Sequence, residues 1–215
     1  MTAAPDALLL MGRHCPYCPL MLKSLQNLQA AGTIRKLETV VLEDHPEKAA
    51  ELGVRSVPWV RIGTFELAGL RSEQELRDWA RRAGTTGGQT EYLAELLSGG
   101  EIDRCIELVS SKPAVLKDLL HLFTEPDVTL NVRIGISAVM EALAGTPALQ
   151  SVAGELGELL AHEAARVRGD ACHYLALSGL PESADLIHPL LDDADENVRE
   201  IAADALNELS GPASA

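Results

Sequence analysis

The residues of this chain best suited to chemistry are two cysteines at i and i+3, Cys15 and Cys18, in the run Cys15-Pro16-Tyr17-Cys18. They follow a short apolar run, Ala7 to Met11, and open a helix-patterned stretch. At a strand-to-helix junction both sulfurs can reach one exposed point, where the first thiolate attacks a disulfide and the second releases the product. Thiol-disulfide exchange is therefore the leading chemistry, with Cys15 as the attacking thiol and Cys18, more buried and of higher pKa, as the resolving one. A zinc site would need two further Cys or His ligands, and His14 and His45 are the only local histidines, so no metal is expected.

An unperturbed thiol of pKa about 8.5 is only ~3% thiolate at pH 7. Bringing it to about 6 requires ~3.4 kcal/mol of preferential thiolate stabilisation, at ~1.36 kcal/mol per unit. A helix dipole supplies only about 0.3 to 1 kcal/mol. The rest is expected from backbone N–H groups in the helix's first turn, from the Cys18 thiol, and from positive charge at Arg13 and His14. If the helix begins near Cys15, Pro16 and Pro19 sacrifice no helix hydrogen bond, because the first four N–H groups have no intrahelical partner.

The elements that must hold this site alternate strand and helix. Ala7 to Met11 reads as a buried strand, and Pro16 to Leu28 as a helix with Met21, Leu25 and Leu28 on one face. Lys36 to Leu42 reads as a second strand and Pro46 to Leu52 as a short helix stopped at Gly53. Val57 to Ile62 and Thr64 to Leu67 form a hairpin around Gly63. Ser72 and Glu75 make a capping box for a last helix that buries Leu76, Trp79, Ala80 and Ala83.

This β-α-β-α-β-β-α order, the Cys-Pro-Tyr-Cys run, Ser56-Val57-Pro58 and Gly69 after the last strand resemble the thioredoxin/glutaredoxin-like α/β fold over residues 5 to 83. Cys-Pro-Tyr-Cys-Pro-Leu is also similar to the active-site run of protein disulfide oxidoreductases. The resemblance implies that Cys15 and Cys18 are catalytic and that Pro58 is the cis-proline facing them. Such a bond would leave the Val57 backbone free to pair with an extended substrate, with Tyr17 and Trp59 as further substrate-binding residues. An aromatic strand residue such as Trp59 is also a natural core residue. Glutathione is the less favoured partner. Glutaredoxins usually have a lysine where this chain has Gly12, and a Gly-Gly followed by acidic residues where it has Gly69-Leu70-Arg71-Ser72. Arg13 and the helix N-terminus at Ser72 could still hold a glutathione carboxylate. No cofactor beyond the Cys15–Cys18 pair itself is expected.

Gly84-Thr85-Thr86-Gly87-Gly88-Gln89 has no apolar residue and three glycines, and it reads as a linker. The expected division is a redox domain at 1–84, a linker at 85–89 and a helical domain at 90–215. Charge divides the same way. Residues 1–89 hold 11 Lys+Arg and 10 Asp+Glu, a net +1, and residues 90–215 hold 7 and 22, a net −15.

Beyond the linker the apolar period is helical throughout, and Val132-Arg133, Val167-Arg168 and Val198-Arg199 recur 35 and then 31 residues apart. Pro113, Pro147 and Pro181 recur every 34 residues, at plausible starts of each repeat's first helix. Leu159-Leu160 and Leu190-Leu191 each lie eight residues before their Val-Arg, but Leu119-Leu120 lies thirteen before, which implies an insertion around Glu125 to Leu130. Paired helices with an Asp-rich turn before a Val-Arg helix resemble HEAT repeats over roughly residues 113 to 211, with Glu91 to Ser110 as a cap or a degenerate first repeat. Such repeats form a solenoid, because each helix pair buries its apolar face only against its neighbours. Cys172 shares its repeat position with Ser137 and Ala203, so a small core residue is expected there, and Cys105 also reads as core. His162-Glu163 resembles one ligand pair of HEAT-repeat iron hydroxylases, but those sites need several such pairs and no iron site is expected.

These features point to a thiol-disulfide oxidoreductase whose solenoid recognises a protein partner or a protein disulfide substrate. Two other readings use the same residues: an interaction scaffold with a non-catalytic thioredoxin-like domain, or a thiol/persulfide relay through Cys15. The acidic second half disfavours nucleic acid and anionic membrane as partners, since phosphate contacts need clustered Lys and Arg. The longest apolar stretches fall well short of a membrane span, and Met1 to Asp6 lacks the basic start and apolar core of a secretory signal. A cytoplasmic location is expected, with the cysteine pair resting as a dithiol.

Overall fold

The computed structural model describes residues 3–85 and 87–210. By its internal contacts the chain divides into two compact units, Met1–Gly88 and Gln89–Ala215.

The first unit runs β1 (Ala7–Met11), α1 (Cys18–Ala30), β2 (Leu37–Val41), α2 (Glu47–Glu51), β3 (Trp59–Ile62), β4 (Phe65–Ala68) and α3 (Glu73–Arg82). Its four strands lie in the order β2-β1-β3-β4. The β1–β2 pair is parallel, with Met11 opposite Val41, and α1 is the crossover such a pair requires. The β1–β3 and β3–β4 pairs are antiparallel. Gly63 makes the tight β3–β4 turn at φ +59°, a conformation glycine adopts without steric cost.

Side chains alternate across the sheet, so the register sorts them into two faces. Leu9, Val60, Ile62, Phe65 and Leu67 share one face and are all buried. The Trp79 ring of α3 meets Phe65 edge-on, with centroids 5.2 Å apart, while α1 buries Cys18, Met21, Leu25 and Leu28. Leu76, Trp79, Ala80 and Ala83 are buried as their spacing implied, and the Ser72–Glu75 capping box is complete on both sides.

Two sequence expectations shift. The helix carrying the cysteines starts at Cys18, not near Cys15, with Tyr17 as its N-cap. Pro16 therefore stands before the helix and Pro19 in its first turn, where a missing N–H removes no helix bond. Gly88 and Gln89 belong to the next helix instead of the linker, since a first-turn N–H needs no intrahelical acceptor. Thr86, inside the expected linker, and Gly211, at the end of the expected repeats, lie outside the described residues.

The second unit is helical: α4 (Gly88–Ser98), α5 (Ile102–Ser111), α6 (Ala114–Thr124), α7 (Leu130–Ala142), α8 (Pro147–Gln150), α9 (Ala153–Leu159), α10 (Ala165–Leu177), α11 (Ser183–Ile187), a 3-10 turn (His188–Asp192) and α12 (Glu196–Ser210). Val132, Val167 and Val198 are each the third residue of their helix, α7, α10 and α12, and all are buried. The arginine after each valine shows what the repeat is built to satisfy. Arg168 donates through Nη1 to the carbonyls of His162 and Glu163, and Arg199 donates in the same way to those of Asp193 and Ala194. Both close the turn that leads into their own helix. Arg168 also forks onto Asp193 of the next repeat, at 2.8 and 2.7 Å.

Arg133 departs from this pattern. Its Nε is buried with no hydrogen-bond partner among the described residues. The insertion at Glu125–Leu130 alters the turn before it, and the position corresponding to Asp193 in the following repeat is His162, which is not a carboxylate. Ala203, expected to occupy a small buried position like Cys172, is exposed; it lies on α12, the last helix described.

Candidate redox site

The site grows from the end of β1. Past Met11 the chain turns through Gly12, Arg13 and His14, with the Cys15 N–H donating to the Gly12 carbonyl at 3.2 Å. Cys15 is half-buried and Cys18 fully buried. Their Sγ atoms lie within disulfide distance, with Cα atoms 5.5 Å apart. The N–H of Cys18, the first residue of α1, donates to the Cys15 Sγ at 3.1 Å. This hydrogen bond to the outer sulfur comes from the helix's first turn, where N–H groups have no intrahelical acceptor.

The Val57–Pro58 peptide is cis, as the resemblance implied. Pro58 is tied to the far end of the hairpin by the Gly69 N–H, which donates to its carbonyl at 2.9 Å. A Cβ placed on Gly12 would sit 3.2 Å from Val57 Cγ2 and 3.8 Å from Cys15 Cβ. Val57 and Cys15 thus flank Gly12, and this close approach leaves little room for a side chain there. Tyr17, at 53% exposed, stands out into solvent beside the pair.

The other expected site residues sit differently. Trp59 is 6% exposed and lies opposite Leu10 in the ladder. Leu10 is itself fully buried, so Trp59 is a core residue of that sheet face and not a wall of a substrate groove. Arg13 does not direct its charge at the Cys15 sulfur. Its exposed guanidinium pairs with Asp44, and its backbone N–H donates to Glu43 Oε1 at 2.9 Å. His14 is exposed, and its charge bears on Glu43. The Arg13 charge expected to act on Cys15 is therefore paired with carboxylates of the β2–α2 loop.

Glu43 and Asp44 were not singled out by sequence reasoning. The β1–β2 register explains their place. The parallel pairing continues past the strand ends, with the Leu42 N–H donating to the Met11 carbonyl at 2.9 Å, and this sets Glu43 beside Arg13. Main-chain hydrogen bonds from its own N–H and from Arg13 hold the Glu43 carboxyl below the usual carboxylate range.

The remaining cysteines are unlike this pair. Cys105 and Cys172 are fully buried free thiols, and burial pushes each up to about 12. Among the described residues no cluster of three or more His, Cys, Asp or Glu is arranged to hold a metal ion, and no helix is long and apolar enough to cross a membrane.

Comparison with protein families agrees with this architecture. A thioredoxin-domain model matches residues 7–81 and a HEAT-repeat model matches residues 153–215. No curated protein matches the chain. The cysteine pair at the β1–α1 junction thus belongs to a thioredoxin-like domain, and the chain's last third carries HEAT repeats.

Proposed function

We propose that the chain is a thiol-disulfide oxidoreductase acting through Cys15 and Cys18, with its helical repeats recognising the protein that carries the substrate disulfide. The observation that carries this reading is the asymmetry of the pair. Cys15 is half-exposed and accepts a main-chain N–H at its sulfur, whereas Cys18 is completely buried behind it. That division suits an attacking and a resolving thiol. In the reductive direction the Cys15 thiolate attacks one sulfur of the substrate disulfide, and the electron pair of the broken bond leaves on the other. Cys18, losing its proton, then attacks Cys15. The substrate's second thiolate departs, and the Cys15–Cys18 disulfide remains. Val57, which precedes Pro58 and lies outside the sheet ladder, is the segment on which an extended substrate would lie, with Tyr17 at its edge.

A general chemistry joined to a repeat surface suits a particular protein substrate. The pair would cycle between dithiol and disulfide in a reducing compartment, the cytoplasm being the natural one. Replacing Cys18 by serine should accumulate a covalent adduct between Cys15 and a discrete protein, released by dithiothreitol. Partner binding that persists unchanged after both cysteines are replaced, with no adduct, would favour a scaffold.

A further inference from the structure

The redox reading leaves the electron donor open, and the rim of the disulfide bears on it. Two features of the sequence could have held the carboxylate of an anionic thiol, and the chain's own carboxylates occupy both. Arg13 gives its guanidinium to Asp44 and its N–H to Glu43. At the start of α3, the Ser72 N–H and hydroxyl both donate to Glu75 Oε2, at 2.8 and 2.6 Å. The Glu43 carboxylate also lies 3.4 Å from the point a Gly12 Cβ would occupy, and that point is 3.8 Å from Cys15 Cβ. With histidine counted neutral at pH 7, the two carboxylates of the β2–α2 loop outnumber the single charge of Arg13 that they pair with, and this rim of the site is net negative.

We propose that Glu43 and Asp44 are specificity residues that disfavour anionic thiols such as glutathione at Cys15 and favour a thiol or disulfide carried on a neutral or basic polypeptide segment. This rests on the redox reading. When the disulfide is reduced, an incoming thiolate attacks the Cys15 sulfur, the Cys15–Cys18 bond breaks, and its electron pair leaves on Cys18, which takes up a proton. A second thiolate then attacks the donor sulfur of the mixed disulfide and frees Cys15, so two thiols become one disulfide and two electrons enter the pair. Both attacks bring the donor's charge to the acidic rim, where like charge slows encounter and salt screens the effect.

The test is the rate at which the oxidised full-length protein is reduced by glutathione, 2-mercaptoethanol and cysteamine, which are anionic, neutral and cationic. Rates are compared per thiolate at low ionic strength in the wild type and in the double variant Glu43→Gln, Asp44→Asn. The expected wild-type order is cysteamine fastest and glutathione slowest. In the variant the glutathione rate should rise about fivefold relative to 2-mercaptoethanol, with the gain vanishing at ~1 M salt. Equal per-thiolate rates in the wild type, or a glutathione-to-mercaptoethanol ratio unchanged in the variant, would overturn the selectivity alone. Failure of the neutral thiol to reduce the pair at all would overturn the redox reading and the selectivity with it.

Discussion

Four cysteines in one chain meet two environments, and the difference lies in what each sulfur can touch. Cys15 is half-exposed, with the Cys18 N–H directed at its sulfur. Cys105 and Cys172 are fully buried, and burial pushes each up to about 12. Since the thiolate is the reacting form, a native reduced protein treated with iodoacetamide at pH 8 should be labelled at Cys15, with Cys105 and Cys172 modified only after unfolding. Peptide mass spectrometry checks this, and native labelling of either buried cysteine would contradict the packing. At this scale the cysteine pair and Pro58 were legible, because their types and spacing are local facts. The acidic neighbours were not, since Glu43 meets Arg13 only through the register of a parallel pair that no local pattern encodes. Trp59 went the other way: a strand aromatic beside a site can face solvent or core, and its pairing with Leu10 decides for the core.

Among the elements, the repeats show the clearest link between sequence period and energetics. The Val-Arg signal marked α7, α10 and α12 from sequence because its valine is a buried apolar contact in all three, and at α10 and α12 its arginine also caps the preceding carbonyls. What the period could not show is the bridge between repeats. Arg168 and Asp193 are 15% and 10% exposed in their side chains, and Asp193 also accepts the Asp195 N–H at 2.8 Å. The Arg168 hydrogen bonds, with this N–H next, lower the Asp193 carboxyl from 3.8 to about 2. A carboxyl depressed in the folded state adds stability that is complete above its unfolded pKa and is lost as pH falls through the folded one. Asp193→Asn should therefore destabilise the helical unit by about 2 kcal/mol at neutral pH, because it removes the forked carboxylate partner of Arg168 and leaves it only the His162 and Glu163 carbonyls. It should also remove part of the stability loss between pH ~4 and ~2. Denaturant unfolding across that range tests both, and an unchanged acid slope would show that the bridge contributes little. The α1 start lies two residues beyond the Pro16 that the pattern implies, because proline is compatible both with a helix's first turn and with the extended segment before it.

For the whole molecule, the change in period and charge near residue 89 was visible in composition, and the structure divides the chain at Gly88. The succession of strands and helices in the first unit and the placement of the cysteine pair followed from alternation and motif. No partner followed, because net negative charge on the helical unit is equally the mark of a solvated acidic face. The central claim is that the first unit carries a working dithiol. It is tested most directly by the alkylation rate of the reduced full-length protein against pH, with the label located by mass spectrometry, alongside a dithiothreitol redox titration of the pair. A working dithiol gives preferential labelling of Cys15 with an apparent pKa well below 8 and a reversible two-electron Cys15–Cys18 couple. A slow Cys15 with an ordinary thiol pKa, and no disulfide that equilibrates with the buffer, would contradict it.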